Sequence, residues 1–167
     1  MVRLHPTDPW DRYAKFHEPG RVFVERTGRE DLRSMAEWYP SADEERRYSA
    51  LLEHADCLVN IGSTASLDAA ARGTPVVFVG FDPEAGLPYH RSVRRQFDYD
   101  HLRRLMSYRV GRLVTSVDDM MDAVQSTFVS QDDRRATLRN MAASEGFDES
   151  GGSAERVAET VARLAHA

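Results

Sequence analysis

The stretch between residues 57 and 81 constrains the fold more than any other part of the sequence. An apolar strand at 57–61 runs into a glycine-containing turn, an alanine-rich helix at 63–72 follows, and Gly73 ends that helix before a second apolar strand at 75–81. Strands this apolar are typical of a parallel sheet, which is covered on both faces. Parallel neighbours also need a long crossover connection, and the helix supplies one. The stretch therefore predicts a strand–helix–strand unit.

The same alternation continues through the chain and predicts the α/β class. Further strands are predicted at 2–4, 21–25 and 112–115. Further helices are predicted at 101–108 and 134–141, after the caps Ser41 and Ser116, and from Ser153 onwards. The residues expected to face the core from the helices that begin at Ser116 and Ser153 are Val117, Met120, Met121, Val124, Phe128, Val157, Val161 and Leu164. We expect a Rossmann-like three-layer domain, with a mostly parallel sheet and helices on both faces.

Composition excludes several classes of protein. The 167 residues fit one domain spanning 1–167, and a net charge of −5 gives no basic field for nucleic acid. The single Cys57 excludes an internal disulfide and a cysteine zinc site, and no His-x-x-x-His spacing suggests another metal or cofactor. No apolar run approaches the roughly 20 residues that span a bilayer, and no apolar leader follows Met1. We expect a cytoplasmic protein without an integral membrane segment.

The turn after the first central strand is the strongest candidate site. Gly62, Ser63 and Thr64 combine close backbone approach, two hydroxyls and a helix start, and these features favour a phosphate or diphosphate. Asp68 shares a helix face with Thr64 and is placed to accept hydrogen bonds from ribose hydroxyls. The alternative is that Ser63 only caps the helix and that Asp68 is a solvated surface residue.

Two weaker candidates lie elsewhere. Arg3 and His5 come at the end of the first strand, where open α/β sheets place ligands, although a solvated histidine beside Pro6 is the commoner reading. The second is a basic segment whose arginines have the geometry to bind phosphate. The alternative is that they form a charged helix face and pair with nearby acidic residues. Its basic residues are His90, Arg91, Arg94 and Arg95, and the acidic ones are Asp98 and Asp100.

Three segments resemble the nucleotide-binding C-terminal domain of GT-B-fold glycosyltransferases, and within that group the surface and capsule polysaccharide enzymes related to CDP-glycerol glycerophosphotransferases. Residues 3–6 (RLHP) look like the Arg-x-His-Pro strand end of that family. Residues 55–77 (ADCLVNIGSTASLDAAARGTPVV) look like its central strand, turn, helix and strand. Residues 99–102 (YDHL) and 116–120 (SVDDM) are similar in order and spacing to the segment after the donor site.

The resemblance implies one half of a GT-B fold that grips a nucleotide-activated sugar or polyol phosphate for polysaccharide biosynthesis. Gly62, Ser63 and Thr64 would hold the diphosphate, and Asp68, where the family usually has glutamate, would hold the ribose. His5 would be catalytic and would stabilise a phosphate oxygen of the leaving group.

An acceptor domain would precede Met1 in that family, so the resemblance predicts a fragment, or a half that needs an N-terminal domain or a partner chain. Two alternatives remain open. One is a nucleotide-sugar epimerase of related fold, and the other is a non-catalytic Rossmann-like module that binds a nucleotide or a protein.

Overall fold

All named strands pair in parallel. A computed structural model of the chain describes residues 1–27, 38–107, 110–128, 132–144 and 151–165. The chain divides into two compact units, Met1–Ser49 and Ala50–Ala167. The prediction of a single domain at 1–167 stays a prediction.

The first unit holds a two-stranded sheet. β1 (Val2–Arg3) pairs in parallel with β2 (Val24–Glu25), and the connection includes α1 (Trp10–Tyr13) and a 3₁₀ helix (Ala14–Phe16). This unit also holds the start of α2 (Ala42–His54), where the predicted Ser41 capping box is confirmed. The Glu44 N–H donates to Ser41 Oγ at 3.2 Å, and the Ser41 N–H donates to the Glu44 carboxylate at 2.8 Å.

The second unit is built on a three-stranded parallel sheet in the order β3-β4-β5. Its strands are β3 (Leu58–Asn60), β4 (Val76–Val79) and β5 (Gly111–Val114). Its helices are α3 (Ala65–Ala71), α4 (Asp100–Ser107), α5 (Val117–Thr127), α6 (Asp132–Ser144) and α7 (Ser153–Ala165), with 3₁₀ helices at Tyr89–Arg91 and Val93–Asp98. The predicted α/β class, with open parallel sheets and helices in a Rossmann-like arrangement, is confirmed.

The core of this unit lies around the central strand β4. Val77 is 1% exposed and packs with Val114 of β5 and Ala123 of α5. Successive strand residues point to opposite faces, so Phe78 lies on the other face. There its ring meets Phe97 edge-on, with centroids 6.0 Å apart. Both faces of β4 are therefore covered, which explains why its sequence is apolar without alternation.

Gly73 ends α3 as predicted and also makes room for α6. Its φ is +76°, the Gly73 N–H donates to the carbonyl of Ala70, and the Thr74 N–H donates to that of Ala69, which is the Schellman pattern. A Cβ at Gly73 would lie 3.1 Å from the backbone oxygen of Arg135 in α6. Glycine here both stops the helix and permits the close approach of a second one.

Two predictions about buried helix faces are wrong. Val157, Val161 and Leu164 of α7 were expected to face inward, yet they are 63%, 60% and 73% exposed. In α5, Met120 and Val124 pack on the core, whereas Val117, Met121 and Phe128 are each more than half exposed. Helical periodicity identifies an apolar face, but it does not show what covers that face.

Candidate functional site

The turn that follows β3 is held by the side chain of Asn60. The Asn60 Oδ1 accepts the N–H of Gly62 at 2.9 Å, and its Nδ2 donates to Ser66 Oγ at 2.9 Å. Ser66 lies in the first turn of α3 and is 0% exposed. One carboxamide thus ties the end of the strand, the glycine and the helix together. Gly62 has φ +90°, a conformation that side-chain-bearing residues rarely adopt.

Polar hydrogens are exposed at this turn. The side chains of Ser63 and Thr64 are exposed, and for their backbone N–H groups no acceptor is found among the described residues. Ser63 Oγ also accepts the N–H of Ala65 at 3.2 Å, so the capping alternative holds for that oxygen. Its hydroxyl hydrogen is still able to donate, because a hydroxyl both accepts and donates. Two N–H groups and two hydroxyls therefore stand at the carboxyl end of β3.

The 3₁₀ helix Val93–Asp98 and α4 form a wall beside the turn. A Cβ placed on Gly62 would lie 2.9 Å from Leu102 Cδ1, 3.4 Å from Phe97 Cε1 and 3.7 Å from the Cβ of Gln96. Gly62 is thus favoured by its positive φ, and a Cβ there would also crowd Leu102. The structure also brings the segment that includes the predicted basic residues against the turn.

Asp82, just beyond the carboxyl end of β4, anchors that segment. Its carboxylate accepts the N–H of Val93 and the hydroxyl of Ser92, both at 2.7 Å. The hydrogen bond from the Val93 backbone, then the one from Ser92, lowers the pKa of Asp82. Ser92 is only 4% exposed, so this clasp closes the base of the loop between residues 82 and 92.

The remaining predicted residues of this unit occupy different environments. Asp68 is half-buried in α3, one turn beyond Thr64. The side chains of His90 and Arg91 are exposed, and no ion pair to either is found in the described parts of the chain. The alternative pairing of the arginines with Asp98 and Asp100 is made instead by Arg103, at 3.6 and 4.0 Å.

Arg3 and His5 lie in the first unit, whereas the turn lies in the second. Arg3 forms an ion pair with Glu25 and stacks over the ring of Tyr48 at 5.1 Å from its centroid. His5 is exposed, with Nδ1 2.8 Å from Thr7 Oγ1. The Arg3 guanidinium is engaged by Glu25 and Tyr48, whereas the His5 side chain is exposed and contacts Thr7 through Nδ1. The binding and catalytic roles of both residues stay predictions.

Three residues that contribute to the site were not singled out from the sequence. Asn60 and Ser66 carry a signal, since a polar residue at the end of an apolar strand and a serine on an alanine-rich helix face both need hydrogen-bond partners. The strand at 57–61 was expected to be buried, but Val59 and Ile61 are 42% and 53% exposed. Asp82 directly follows an apolar strand and precedes Pro83, which is a common turn start. None of these signals identifies the hydrogen-bond partner. The partners lie in neighbouring elements, six residues away for Asn60 and Ser66 and eleven for Asp82 and Val93, so they depend on how those elements pack.

An apolar groove lies elsewhere in the described part of the second unit. It has a volume of about 420 Å³ and is lined by Pro75, Val110 and Leu138 among others, at the amino-terminal ends of β4 and β5. Ligands of open α/β sheets bind beyond the carboxyl ends of the strands. The turn is the better candidate because it combines that position with convergent donors.

No group of three or more potential metal-ligating side chains occurs within the described ranges. Across the same residues, no helix is long and apolar enough to cross a membrane. Comparison with known proteins finds no family model, no curated protein and no solved structure that matches the chain.

Proposed function

We propose that the chain binds the phosphate groups of a nucleotide-activated sugar or polyol phosphate at the turn formed by Gly62, Ser63 and Thr64. The observation that carries the proposal is the pair of backbone N–H groups at Ser63 and Thr64, beside two exposed hydroxyls at the carboxyl end of β3. Hydrogen bonds to a charged oxygen contribute about 1.5–3 kcal/mol each. Two or three such hydrogen bonds would supply part of the affinity for a phosphate, and the other donor contacts would add to it.

Preorganisation supports the same proposal. The Asn60 side chain fixes the turn before any ligand arrives, through its hydrogen bonds to Gly62 and Ser66. A ligand that meets a preformed site does not have to offset the entropy of ordering it. Asp68 would bind the ribose, and His90 and Arg91 would contact the rest of the donor from the neighbouring segment.

The wider proposal follows from the family resemblance. In it, the chain is the donor-binding half of a GT-B-like glycosyltransferase or glycerophosphotransferase of cell-surface polysaccharide synthesis. His5 would stabilise the leaving phosphate, and an acceptor domain or partner chain would complete the reaction. Residence in the cytoplasm is part of the same proposal.

The proposal is tested by titrating UDP, CDP and GDP into the protein by calorimetry and thermal shift. We expect at least one to bind, and Ser63→Ala plus Thr64→Ala to weaken that binding by about tenfold, equivalent to roughly 1.4 kcal/mol. Ser126→Ala plus Thr160→Ala is the matched control, since it removes two hydroxyls that bond to carbonyls of their own helices. Absence of binding by all three nucleotides would refute the proposal.

A second candidate is a nucleotide-binding module without chemistry of its own. It is favoured by the hydrogen bonding of Asp82. This carboxylate lies just beyond the carboxyl end of β4 and already accepts hydrogen bonds from Ser92 and Val93. A carboxylate held ionised by two donors is a poor general base. Nucleotide binding with no hydrolysis or transfer, measured with radiolabelled donor, would favour this candidate over the enzyme.

A further inference from the structure

Arg95, in the 3₁₀ helix Val93–Asp98, holds a positive charge that the described chain does not neutralise. The residue is partly buried, and its Nε is buried without a hydrogen-bond partner. No other hydrogen bond or ion pair of this side chain is found among the residues that the structure describes. A guanidinium keeps its charge across the physiological pH range. Since buried charges are otherwise paired, the observation points to an anion that binds here.

The carboxylates that flank Arg95 along the chain are engaged by other donors. Side chains three residues apart on a 3₁₀ helix are eclipsed, so Asp98 is the carboxylate that this helix would place beside Arg95. Asp98 instead accepts the hydroxyl of Tyr89 at 2.6 Å and pairs with Arg103 at 3.6 Å. Asp82 is engaged by the clasp at the base of the loop. The segment therefore neutralises its other charges but leaves this guanidinium without an anion.

Arg95 is also next to the residues that contact the turn. A Cβ on Gly62 would lie 3.7 Å from the Cβ of Gln96 and 3.4 Å from Cε1 of Phe97, and these are the two residues that follow Arg95. Consecutive Cα atoms are about 3.8 Å apart, so the backbone of Arg95 lies one residue from this contact. A side chain as long as that of arginine is able to reach a group bound at the turn from there.

We propose that Arg95 supplies the positive charge for a diphosphate bound at the turn of Gly62, Ser63 and Thr64, an inference that rests on the proposed function and adds a residue to it. The planar guanidinium donates two parallel hydrogen bonds to a phosphate, which a single amine does not. The bound diphosphate provides the anion that the chain itself does not. The unliganded protein thus carries an unfavourable charge that binding neutralises.

Arg95→Met tests this role because it removes the charge and keeps an unbranched apolar stem. Affinity for the nucleotide that binds best among UDP, CDP and GDP should fall about tenfold or more by calorimetry. Without ligand, Tm should rise by about 2 °C or more, since an unpaired charge no longer has to be partly buried. Arg95→Lys keeps the charge but not the planar fork, so its affinity should lie between those of the native chain and Arg95→Met.

Arg94→Met is the matched control, because it removes the same charge from the neighbouring residue. Arg94 is exposed and its Nε donates to Ser92 Oγ at 3.2 Å, so its side chain already has a partner. This variant should change nucleotide affinity by less than about threefold and should not raise Tm. An equal loss of affinity in both variants would show a general effect of net charge and would overturn the specific role of Arg95.

Inorganic pyrophosphate separates this proposal from the proposed function. If a nucleotide binds through Ser63 and Thr64 but Arg95→Met leaves its affinity unchanged, the role of Arg95 is wrong and the proposed function stands. If no nucleotide binds but pyrophosphate does, and Arg95→Met weakens it about tenfold, the anion site stands without the nucleotide. Binding of neither probe would overturn both. A lower Tm in unliganded Arg95→Met would also overturn the proposal, because the guanidinium would then be a structural group.

Discussion

Replacing Asn60 with alanine should destabilise the second unit and weaken nucleotide binding together. The change removes an acceptor from the Gly62 N–H and a donor from Ser66 Oγ, both at 2.9 Å. Each hydrogen bond contributes about 0.5–1.5 kcal/mol, and a buried polar group without a partner costs about 1–3 kcal/mol. The hydroxyl of Ser66 is fully buried, whereas Gly62 is partly exposed and is able to bond to water. The loss should total about 2–4 kcal/mol.

The assay must report on residues 50–167. Both tryptophans, Trp10 and Trp38, lie in the first unit, so fluorescence does not report on this change. Urea unfolding followed by far-UV circular dichroism measures the loss of free energy, and in thermal unfolding Tm should fall by about 8–15 °C for a unit of this size. The exposed Asn140→Ala in α6 is the matched control and should change stability by less than about 0.5 kcal/mol.

Asn60→Asp separates stability from binding. The carboxylate keeps an acceptor for Gly62 and for the hydroxyl of Ser66, so stability should stay within about 1 kcal/mol of the native value. The added negative charge beside the proposed phosphate should weaken nucleotide binding at least tenfold, or about 1.4 kcal/mol. If Asn60→Ala lowers stability by less than about 0.5 kcal/mol, the reasoning about the buried serine is refuted.

Three other predictions follow from single contacts. Gly111→Ala should destabilise by about 3 kcal/mol or more, because its Cβ would overlap the carbonyl oxygen of Val76; soluble yield and urea midpoint measure this, and a normal midpoint would contradict it. The lowered pKa of Asp82, due chiefly to the Val93 N–H, means that its contribution to stability is present above its ordinary pKa of 3.8 and is lost as the pH falls further. Asp82→Ala should therefore lose less stability than the native chain between about pH 5 and pH 2, and equal slopes would show that the clasp contributes nothing. Burial raises the pKa of Cys57, so iodoacetamide should alkylate it more slowly at pH 8 than in the urea-unfolded chain, and equal rates would rule out the effect.

Local signals were enough to locate most elements. The predicted strands at 57–61 and 75–81 contain β3 and β4, and the predicted helix at 63–72 contains α3. The caps Ser41 and Ser116 hold as hydrogen-bonded caps, the latter accepting the Asp119 N–H at 3.1 Å. These features depend on neighbours within a few residues of one another. The local sequence is therefore sufficient to predict them.

Charge pairs were harder to predict because several arginines lie within reach of the same carboxylates. Asp98 and Asp100 pair with Arg103 of α4, while Arg94 donates to Ser92 Oγ at 3.2 Å. The choice depends on how the 3₁₀ helix joins α4, which no spacing rule gives. Exposed pairs of this kind contribute only about 0–1 kcal/mol, so they follow the backbone geometry and do not set it.

The sequence by itself determined that this chain forms parallel strands joined by helices, with a glycine turn before an alanine-rich helix. It did so because apolar runs, caps and glycine stops act over short distances. Only the tertiary structure decided that Asn60 holds the turn, that Asp82 ties down the basic segment, and that the apolar stripe of α7 stays exposed. Those outcomes depend on which surfaces meet, and periodicity shows that a surface is apolar without showing what will cover it.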